Sequence, residues 1–284
     1  MLTDLDITTE QLSATCSFTS APLVDGVRNR AGAASLGFLV TLVDVNCALV
    51  ALIAADPDWT ATADLSLHAV APLDTGPAVV ESTLLRAGRN VVVVSITVFD
   101  GRGTAPFADH GGGPAAALAR GAFTTVARGL ATFARIPRGA SAASAAFDPV
   151  DTIGRRRSMS PAGGVPCAAL TERIGLRVVD AASGVVELPI TDYVRNSFGA
   201  INGGVLGMVV QDAAEAALPQ FAATDVQIHY LAQARAGAAR AATTVLRRGA
   251  GHAVCAVEVI DVAGGGTTLA LATVTLQELI AAET

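Results

Sequence analysis

Asn196-Ser-Phe-Gly-Ala-Ile-Asn-Gly-Gly204 joins a polar turn to the start of an apolar segment of helical length. Paired glycines at the start of a helix let a ligand come close to the backbone. The first N–H groups of a helix have no partner inside it, and they carry the positive end of the helix dipole. The segment is therefore suited to binding an oxyanion or a polarised carbonyl, but glycine-rich helix starts are common and this one needs support from the rest of the chain.

The chain contains this pattern twice. Val27-Arg-Asn-Arg-Ala-Gly32 matches Val194-Arg-Asn-Ser-Phe-Gly199, and each copy runs into an apolar segment. After that segment, Asp64-Leu-Ser-Leu-His68 matches Asp225-Val-Gln-Ile-His229, and the apolar segment between the two blocks is shorter in the second copy. Matching blocks in the same order predict a duplicated domain.

Each copy predicts the same order of elements. A first strand precedes the turn, over 11–19 in the first copy and as a hairpin over 175–190 in the second. After the helix come short β-branched runs bounded by Gly, Asp and Asn, which indicate strands. We therefore predict an N-terminal domain over 1–138, a Gly- and Ala-rich linker over 139–164 and a C-terminal domain over 165–284.

The composition of the chain excludes several classes of protein. Its 284 residues are 51% hydrophobic and 15% charged, which is typical of a globular protein and not of a disordered chain or a coiled coil. A net charge of −6 argues against a nucleic-acid partner. The four cysteines lack the spacing of a zinc site or a disulfide framework. The acidic N-terminus does not resemble a signal peptide, so we expect a cytoplasmic location.

One apolar stretch, 32–55, is long enough to be tested as a membrane span. Asp44 and Asn46 lie in its middle, where lipid would make them costly. We therefore predict no membrane span and a buried helix.

At these motifs the chain resembles the hotdog-fold acyl-CoA thioesterases of the PaaI-like group. Their pattern is Asn-x-x-Gly-x-x-His-Gly-Gly, followed by an acid seven residues after the second Gly. Asn196 lies six residues before Asn202, and Asn29 lies six residues before Ser35. The resemblance implies an α+β fold with two tandem hotdog domains, each a long central helix wrapped by an antiparallel β-sheet.

Neither copy keeps the whole motif. The first copy has the acid, Asp44, but Ser35-Leu36-Gly37 replaces His-Gly-Gly. The second copy keeps Gly203-Gly204, but Asn202 replaces the His and Gln211 replaces the acid. In the PaaI-like group the active site lies between two hotdog domains. The resemblance therefore implies that the two intact parts meet in one composite site.

The composite site would join Asp44 to Asn196, Asn202 and Gly203. By resemblance, the Gly203 N–H and the Asn196 amide bind the oxyanion of a thioester. Asp44 either activates water or attacks directly to give a mixed anhydride, and both routes stay open. Thr62, two residues before the acid of the following strand, would position the water. The resemblance implies neither a metal nor an organic cofactor.

The complementary site would be built from Asn29, Ser35 and Gln211. It lacks an acid, and Ala223 stands where the first site has the hydroxyl of Thr62, so we predict that it is inactive. Glu215, one helical turn beyond Gln211, is an alternative acid for this site.

Structural interpretations exist for several of these residues. Asp44 is alternatively a structural acid, and Asn196 an ordinary turn residue. We expect His68 and His229 to face solvent or a domain interface. The basic cluster 155–157 is either solvated or meets a phosphate.

The sequence thus favours hydrolysis of an acyl-CoA thioester to the free acid and coenzyme A, by a homo-oligomer. A hotdog hydratase is disfavoured, because neither helix region contains Asp-x-x-x-x-His. The remaining alternative is a non-catalytic acyl-CoA or lipid-binding hotdog protein, since the family His is missing from both copies.

Overall fold

The computed structural model describes residues 1–107, 113–138 and 148–279. Its α-helices are α1 (Leu36–Ala55), α2 (Gly113–Ala119), α3 (Leu170–Arg173) and α4 (Gly203–Ala217). The strands are β1 (Ile7–Ser13), β2 (Cys16–Ala21), β3 (Trp59–Ala69), β4 (Ala78–Ala87), β5 (Val91–Asp100), β6 (Thr124–Ile136), β7 (Arg156–Met159), β8 (Arg177–Asp180), β9 (Val185–Pro189), β10 (Phe221–Tyr230), β11 (Ala238–Arg248), β12 (His252–Asp261) and β13 (Thr267–Glu278).

The 13 strands of the described residues form one sheet, in the order β7-β1-β2-β4-β5-β6-β3-β10-β13-β12-β11-β9-β8. Read from the outer edge to the centre, the N-terminal half has the order β1-β2-β4-β5-β6-β3, and the C-terminal half has the equivalent order β8-β9-β11-β12-β13-β10. Strand β7 is an additional strand at the edge of the N-terminal half. The named strands pair antiparallel, and β3 and β10 join the halves. Long helices combined with an antiparallel sheet confirm the predicted α+β class.

Helix α1 is the central helix of the N-terminal half. Ser35 caps it, because its Oγ accepts a hydrogen bond of 3.3 Å from the Phe38 N–H. Among the described residues, α1 alone is long and apolar enough to cross a membrane, with a mean hydropathy of 2.3, and 67% of that window is buried. Strands β2 to β6 and helix α4 surround α1, which accounts for its apolar character on all sides.

The two long helices come closest near their first turns. A Cβ added to Gly37 would lie 2.7 Å from the Cα of Met208, and one added to Gly204 would lie 2.4 Å from the Cα of Thr41. Only glycine permits such an approach of backbones. When the two copies are aligned on the repeated turn, Gly204 corresponds to Gly37 and Met208 to Thr41. Each helix thus makes the same glycine contact with the backbone of the other.

The first predicted strand, 11–19, is wrong, because the structure has the hairpin β1–β2 there. Ser13 Oγ accepts a hydrogen bond of 3.2 Å from the Thr15 N–H, which closes a local turn and interrupts the strand. The hairpin predicted over 175–190 is confirmed by β8 and β9.

Part of the predicted linker is attached to the sheet. The structure describes residues 148–164 of it, and strand β7 within this part pairs with β1. Arg156 of the basic cluster lies 3.3 Å from Glu10 and stacks over Phe107 at 5.2 Å. This arginine therefore helps to hold the sheet edge.

The two halves are also joined by histidine–aspartate contacts across β3 and β10. His68 Nδ1 lies 3.2 Å from Asp225 Oδ1, and His229 Nδ1 lies 2.6 Å from Asp64 Oδ2. The two histidines thus lie at the junction of the halves, one of the two placements that the sequence left open for them.

Candidate active site

A cavity of about 400 Å³ lies between the two halves of the sheet. The N-terminal half contributes one face of α1 and the start of β3, and the C-terminal half contributes the turn before α4 and the end of β10. The five residues predicted to form the composite site all line this cavity: Asp44, Thr62, Asn196, Asn202 and Gly203.

Asp44 is the acid of this cavity. It lies on α1, its residue is 7% exposed, and its Oδ1 accepts a hydrogen bond of 2.7 Å from Thr62 Oγ1. Burial raises the pKa of Asp44 above its ordinary value, while the hydrogen bonds from Thr62 and from the Gly204 N–H oppose the rise. A carboxylate whose pKa is raised is a stronger base than an ordinary aspartate, which suits it to accept a proton from a ligand or from water.

A β-bulge places Thr62 beside Asp44. In the pairing of β3 with β6, Thr62 faces Phe133 and Asp64 faces Thr132, so Ala63 is an extra residue. A bulge changes the side to which the neighbouring side chains point. Strand β10 has a bulge at the corresponding position, between Ala223 and Asp225.

The first turn of α4 forms the opposite wall. Asn202 caps the helix, and its Oδ1 accepts a hydrogen bond of 2.9 Å from the Gly204 N–H. The Gly203 N–H has no partner among the described residues. A Cβ added to Gly203 would lie 2.9 Å from Asp44 Oδ2. The absence of a side chain thus leaves an N–H donor and a carboxylate facing the same space.

Asn196 is both a turn residue and a wall of the cavity. Its Oδ1 accepts hydrogen bonds from the N–H groups of Phe198, at 2.9 Å, and Ala200, at 3.2 Å. The structural interpretation of this residue is therefore correct for its oxygen. Its Nδ2 has no partner in the part of the chain that the structure describes, so this group is free to donate to a ligand.

The cavity also has an aromatic wall, which was not predicted from the sequence. Trp59 of β3 and Phe198 of the turn before α4 meet edge to face, with ring centroids 5.5 Å apart. Tyr230 donates a hydrogen bond of 3.1 Å to the Gly203 carbonyl, and burial together with the charge of Asp44 raises its pKa well above the ordinary value. The only tryptophan of the chain and a tyrosine directly after His229 were signals that the sequence offered.

The complementary site has a different network of hydrogen bonds. Gln211 Oε1 accepts from the Gly37 N–H at 2.6 Å, and its Nε2 donates to Glu215 Oε1 at 3.0 Å. The same Glu215 oxygen accepts from the Ala223 N–H at 3.0 Å, and Arg30 lies 3.6 Å from the other oxygen. Glu215 is thus bound by three partners, an arrangement that does not favour its role as a replacement base.

Leu36 occupies the position in the first turn of α1 that corresponds to Gly203 in α4. Its side chain is buried, so the complementary site lacks the open approach to the helix start. Within the described ranges, no group of three or more His, Cys, Asp or Glu side chains is placed to hold a metal ion.

Comparisons with known proteins relate part of the chain to a thioesterase domain. Residues 193–277 match a family model described as the acyl-CoA thioesterase N-terminal domain. No curated protein sequence matches the chain significantly.

Several solved structures share the fold over almost their whole length. The 12:0-ACP thioesterase of Umbellularia californica is 9% identical, with a TM-score of 0.58, and the alignment covers 93% of this chain and 94% of that one. A tesB protein of Mycobacterium avium subs paratuberculosis is 11% identical, with a TM-score of 0.56 and 95% of each chain covered. An acyl-ACP thioesterase of Bacteroides thetaiotaomicron is 12% identical, with a TM-score of 0.55, and 92% of this chain and 98% of that one are covered. The chain therefore has the hotdog-type fold of these thioesterases.

Proposed function

We propose that the chain hydrolyses acyl thioesters of coenzyme A in the cavity between Asp44 and Gly203. One observation carries the proposal: the buried carboxylate of Asp44 lies directly beside Gly203, whose N–H has no partner among the described residues. A Cβ placed on Gly203 would lie only 2.9 Å from Asp44 Oδ2. The family model matched by residues 193–277 supports thioester chemistry, and its name favours coenzyme A over acyl carrier protein as the thiol carrier.

The proposal includes the domain organisation. The repeated strand order and the repeated helix contact support two tandem hotdog domains of the PaaI-like type, derived from a duplication. One working site then serves both domains, because the acid comes from α1 and the donor groups come from the turn and start of α4.

Hydrolysis would proceed by addition and elimination at the thioester carbonyl. The Gly203 N–H and Asn196 Nδ2 donate to the carbonyl oxygen and stabilise the oxyanion that forms there. In one route Asp44 takes a proton from water held by Thr62, and the resulting hydroxide adds to the carbonyl carbon. Collapse of the intermediate then breaks the C–S bond, and the thiolate leaves and takes up the proton. In the other route Asp44 Oδ2 adds to the carbon, the thiolate leaves, and water cleaves the mixed anhydride.

The test is release of free thiol from a panel of short-chain, long-chain and aryl acyl-CoA substrates. Both routes need an ionised Asp44, so Asp44→Asn is expected to lower turnover by at least about 100-fold. Asp212→Asn is the matched control, because Asp212 is a half-buried acid placed in the complementary site. We expect it to keep the turnover of the wild type.

Equal turnover in Asp44→Asn and the wild type would show that the assignment of the base is wrong. Binding of acyl-CoA without release of thiol on any substrate would instead indicate the alternative function, a non-catalytic binding protein.

A further inference from the structure

A second cavity, of about 430 Å³, lies between the start of α1 and the start of strand β10. Small and aliphatic side chains form most of its wall, among them Ala34, Leu36, Leu39 and Leu73, which are buried. Nothing in the proposed reaction uses this cavity.

The walls of this cavity correspond to those of the candidate active site. When the copies are aligned on the repeated turn, Asn29 occupies the position of Asn196. When they are aligned on the strand block after the helix, Ala69 occupies the position of Tyr230, and the segment 222–224 corresponds to 61–63. The second cavity is therefore the counterpart of the chamber that the proposed function assigns to the substrate.

The groups that would cleave a thioester are absent from this counterpart. Ala223 replaces the hydroxyl of Thr62 on its wall. Gln211, which replaces the acid, lines a separate polar cavity of about 250 Å³ and is hydrogen-bonded to the Gly37 N–H and Glu215. The apolar chamber is thus preserved, while the chemistry has been lost.

The lining also indicates the kind of ligand. Alanines at 31 and 69 replace the aromatic rings of Phe198 and Tyr230, which leaves a wall suited to a flexible alkyl chain. Among the described lining residues, Glu278 is the one charged side chain, so a free carboxylate would meet a like charge and no cation. A neutral acyl group avoids that cost.

We infer that this second cavity binds the alkyl chain of an acyl thioester without cleaving it. The inference rests on the proposed function in one respect, namely that acyl thioesters are the ligands of this chain. Each polypeptide would then hold two acyl chains, one at the working site and one at a site that retains it.

Titration calorimetry with a dodecyl thioether of coenzyme A, which cannot be hydrolysed, tests this inference. We expect two equivalents to bind per chain. The double variant Ala31→Phe with Ala69→Tyr puts back the aromatic residues of the other site and fills the chamber, so it should bind one equivalent and keep its thiol-release activity. Ala87→Phe, at the exposed end of β4, is the matched control and should still bind two. Dodecanoate should not displace the second equivalent.

Binding of one equivalent by the wild type would overturn the inference, as would two equivalents in the filled variant. A second equivalent that appears only after residues 280–284 are removed would also overturn it, because the end of the chain itself would then be the occupant. Thiol release is measured separately. Two equivalents without turnover would contradict the proposed function and leave the second site supported.

Discussion

At the scale of single residues, Asp44 and Gln211 occupy corresponding positions in the two copies. Their comparison shows the free-energy cost of burying the carboxylate that the proposed function needs. Both side chains are buried at 6 to 7% exposure, and both face the first turn of the opposite helix. Burial of a carboxylate is much more costly than burial of an amide. The carboxylate, Asp44, lies at the cavity where Gly203 leaves the helix start open. The neutral amide, Gln211, lies where Leu36 closes the helix start. This distribution supports a functional role for Asp44.

The cost of burying these carboxylates predicts how the stability of the protein depends on pH. A carboxyl group whose pKa is higher in the folded than in the unfolded chain binds protons more tightly when folded, so the free energy of unfolding falls as pH rises between the two values. Because burial raises the pKa of Asp44, and raises that of Asp212 to about 7, Asp44→Asn and Asp212→Asn should both raise the melting temperature at pH ~8.

The increase in melting temperature of both variants over the wild type should become smaller as pH falls towards about 4, the ordinary pKa of an aspartate in an unfolded chain. Thermal unfolding followed by circular dichroism across this pH range is the measurement. If Asp44→Asn melts below the wild type at pH ~8, the hydrogen bonds from Thr62 and Gly204 outweigh the desolvation of the carboxylate.

At the scale of elements, the approach of α1 to α4 determines the geometry of the site. The acid lies two turns along one helix and the donor lies in the first turn of the other, so their separation depends on how closely the backbones meet. Gly37 and Gly204 allow that approach, and the bulge in β3 adds the hydroxyl of Thr62. A substitution at this helix contact can therefore alter the reaction by moving the acid away from the donor group.

Gly204→Ala tests this contact. Its Cβ would lie 2.4 Å from the Cα of Thr41, a backbone atom that cannot move without moving α1. Overpacking of this kind costs about 1 to 3 kcal/mol, and the variant should lose that much free energy of unfolding together with its turnover.

Gly163→Ala is the control for the Gly204 variant, because a Cβ at Gly163 would meet nothing within 4 Å. Its stability should stay within about 0.5 kcal/mol of the wild type in urea unfolding. An unchanged Gly204→Ala protein would show that the helices separate easily and do not determine the site.

At the scale of the whole molecule, the two halves share one sheet and one core. Residues 64–68 of β3 pair with residues 225–229 of β10, and the core cluster extends through both central helices. Half of the chain alone would expose the edge of β3 or β10 and the contact face of its helix. The halves are thus expected to depend on each other for folding as well as for chemistry.

Cutting the chain within the predicted linker tests this dependence. Fragments 1–138 and 139–284, produced separately, should each lack thiol-release activity, because one has the acid and the other has the donor groups. Co-expressed, they should associate through β3 and β10 and recover turnover. Activity in the C-terminal fragment alone would rule out a composite site that uses Asp44. Gel filtration and thiol release on the same samples give the two readouts.

Sequence alone determined the elements and the candidate residues. Repeated motifs and strand signals gave both long helices and most strands after them, because these depend on local chain preference and on periodicity. The hairpin β1–β2 was missed because a single side-chain hydrogen bond at Ser13 interrupts the strand. The five residues of the candidate site were found through motif spacing that each copy keeps only in part.

Tertiary structure alone decided which atoms meet. The approach of Gly203 to Asp44, the edge-to-face pair of Trp59 and Phe198, and the contact of Arg30 with Glu215 all arise between residues far apart in the chain. Such contacts depend on how closely the two helices approach and on how the two half-sheets join. No local pattern encodes those distances, because they result from the packing of both halves at once.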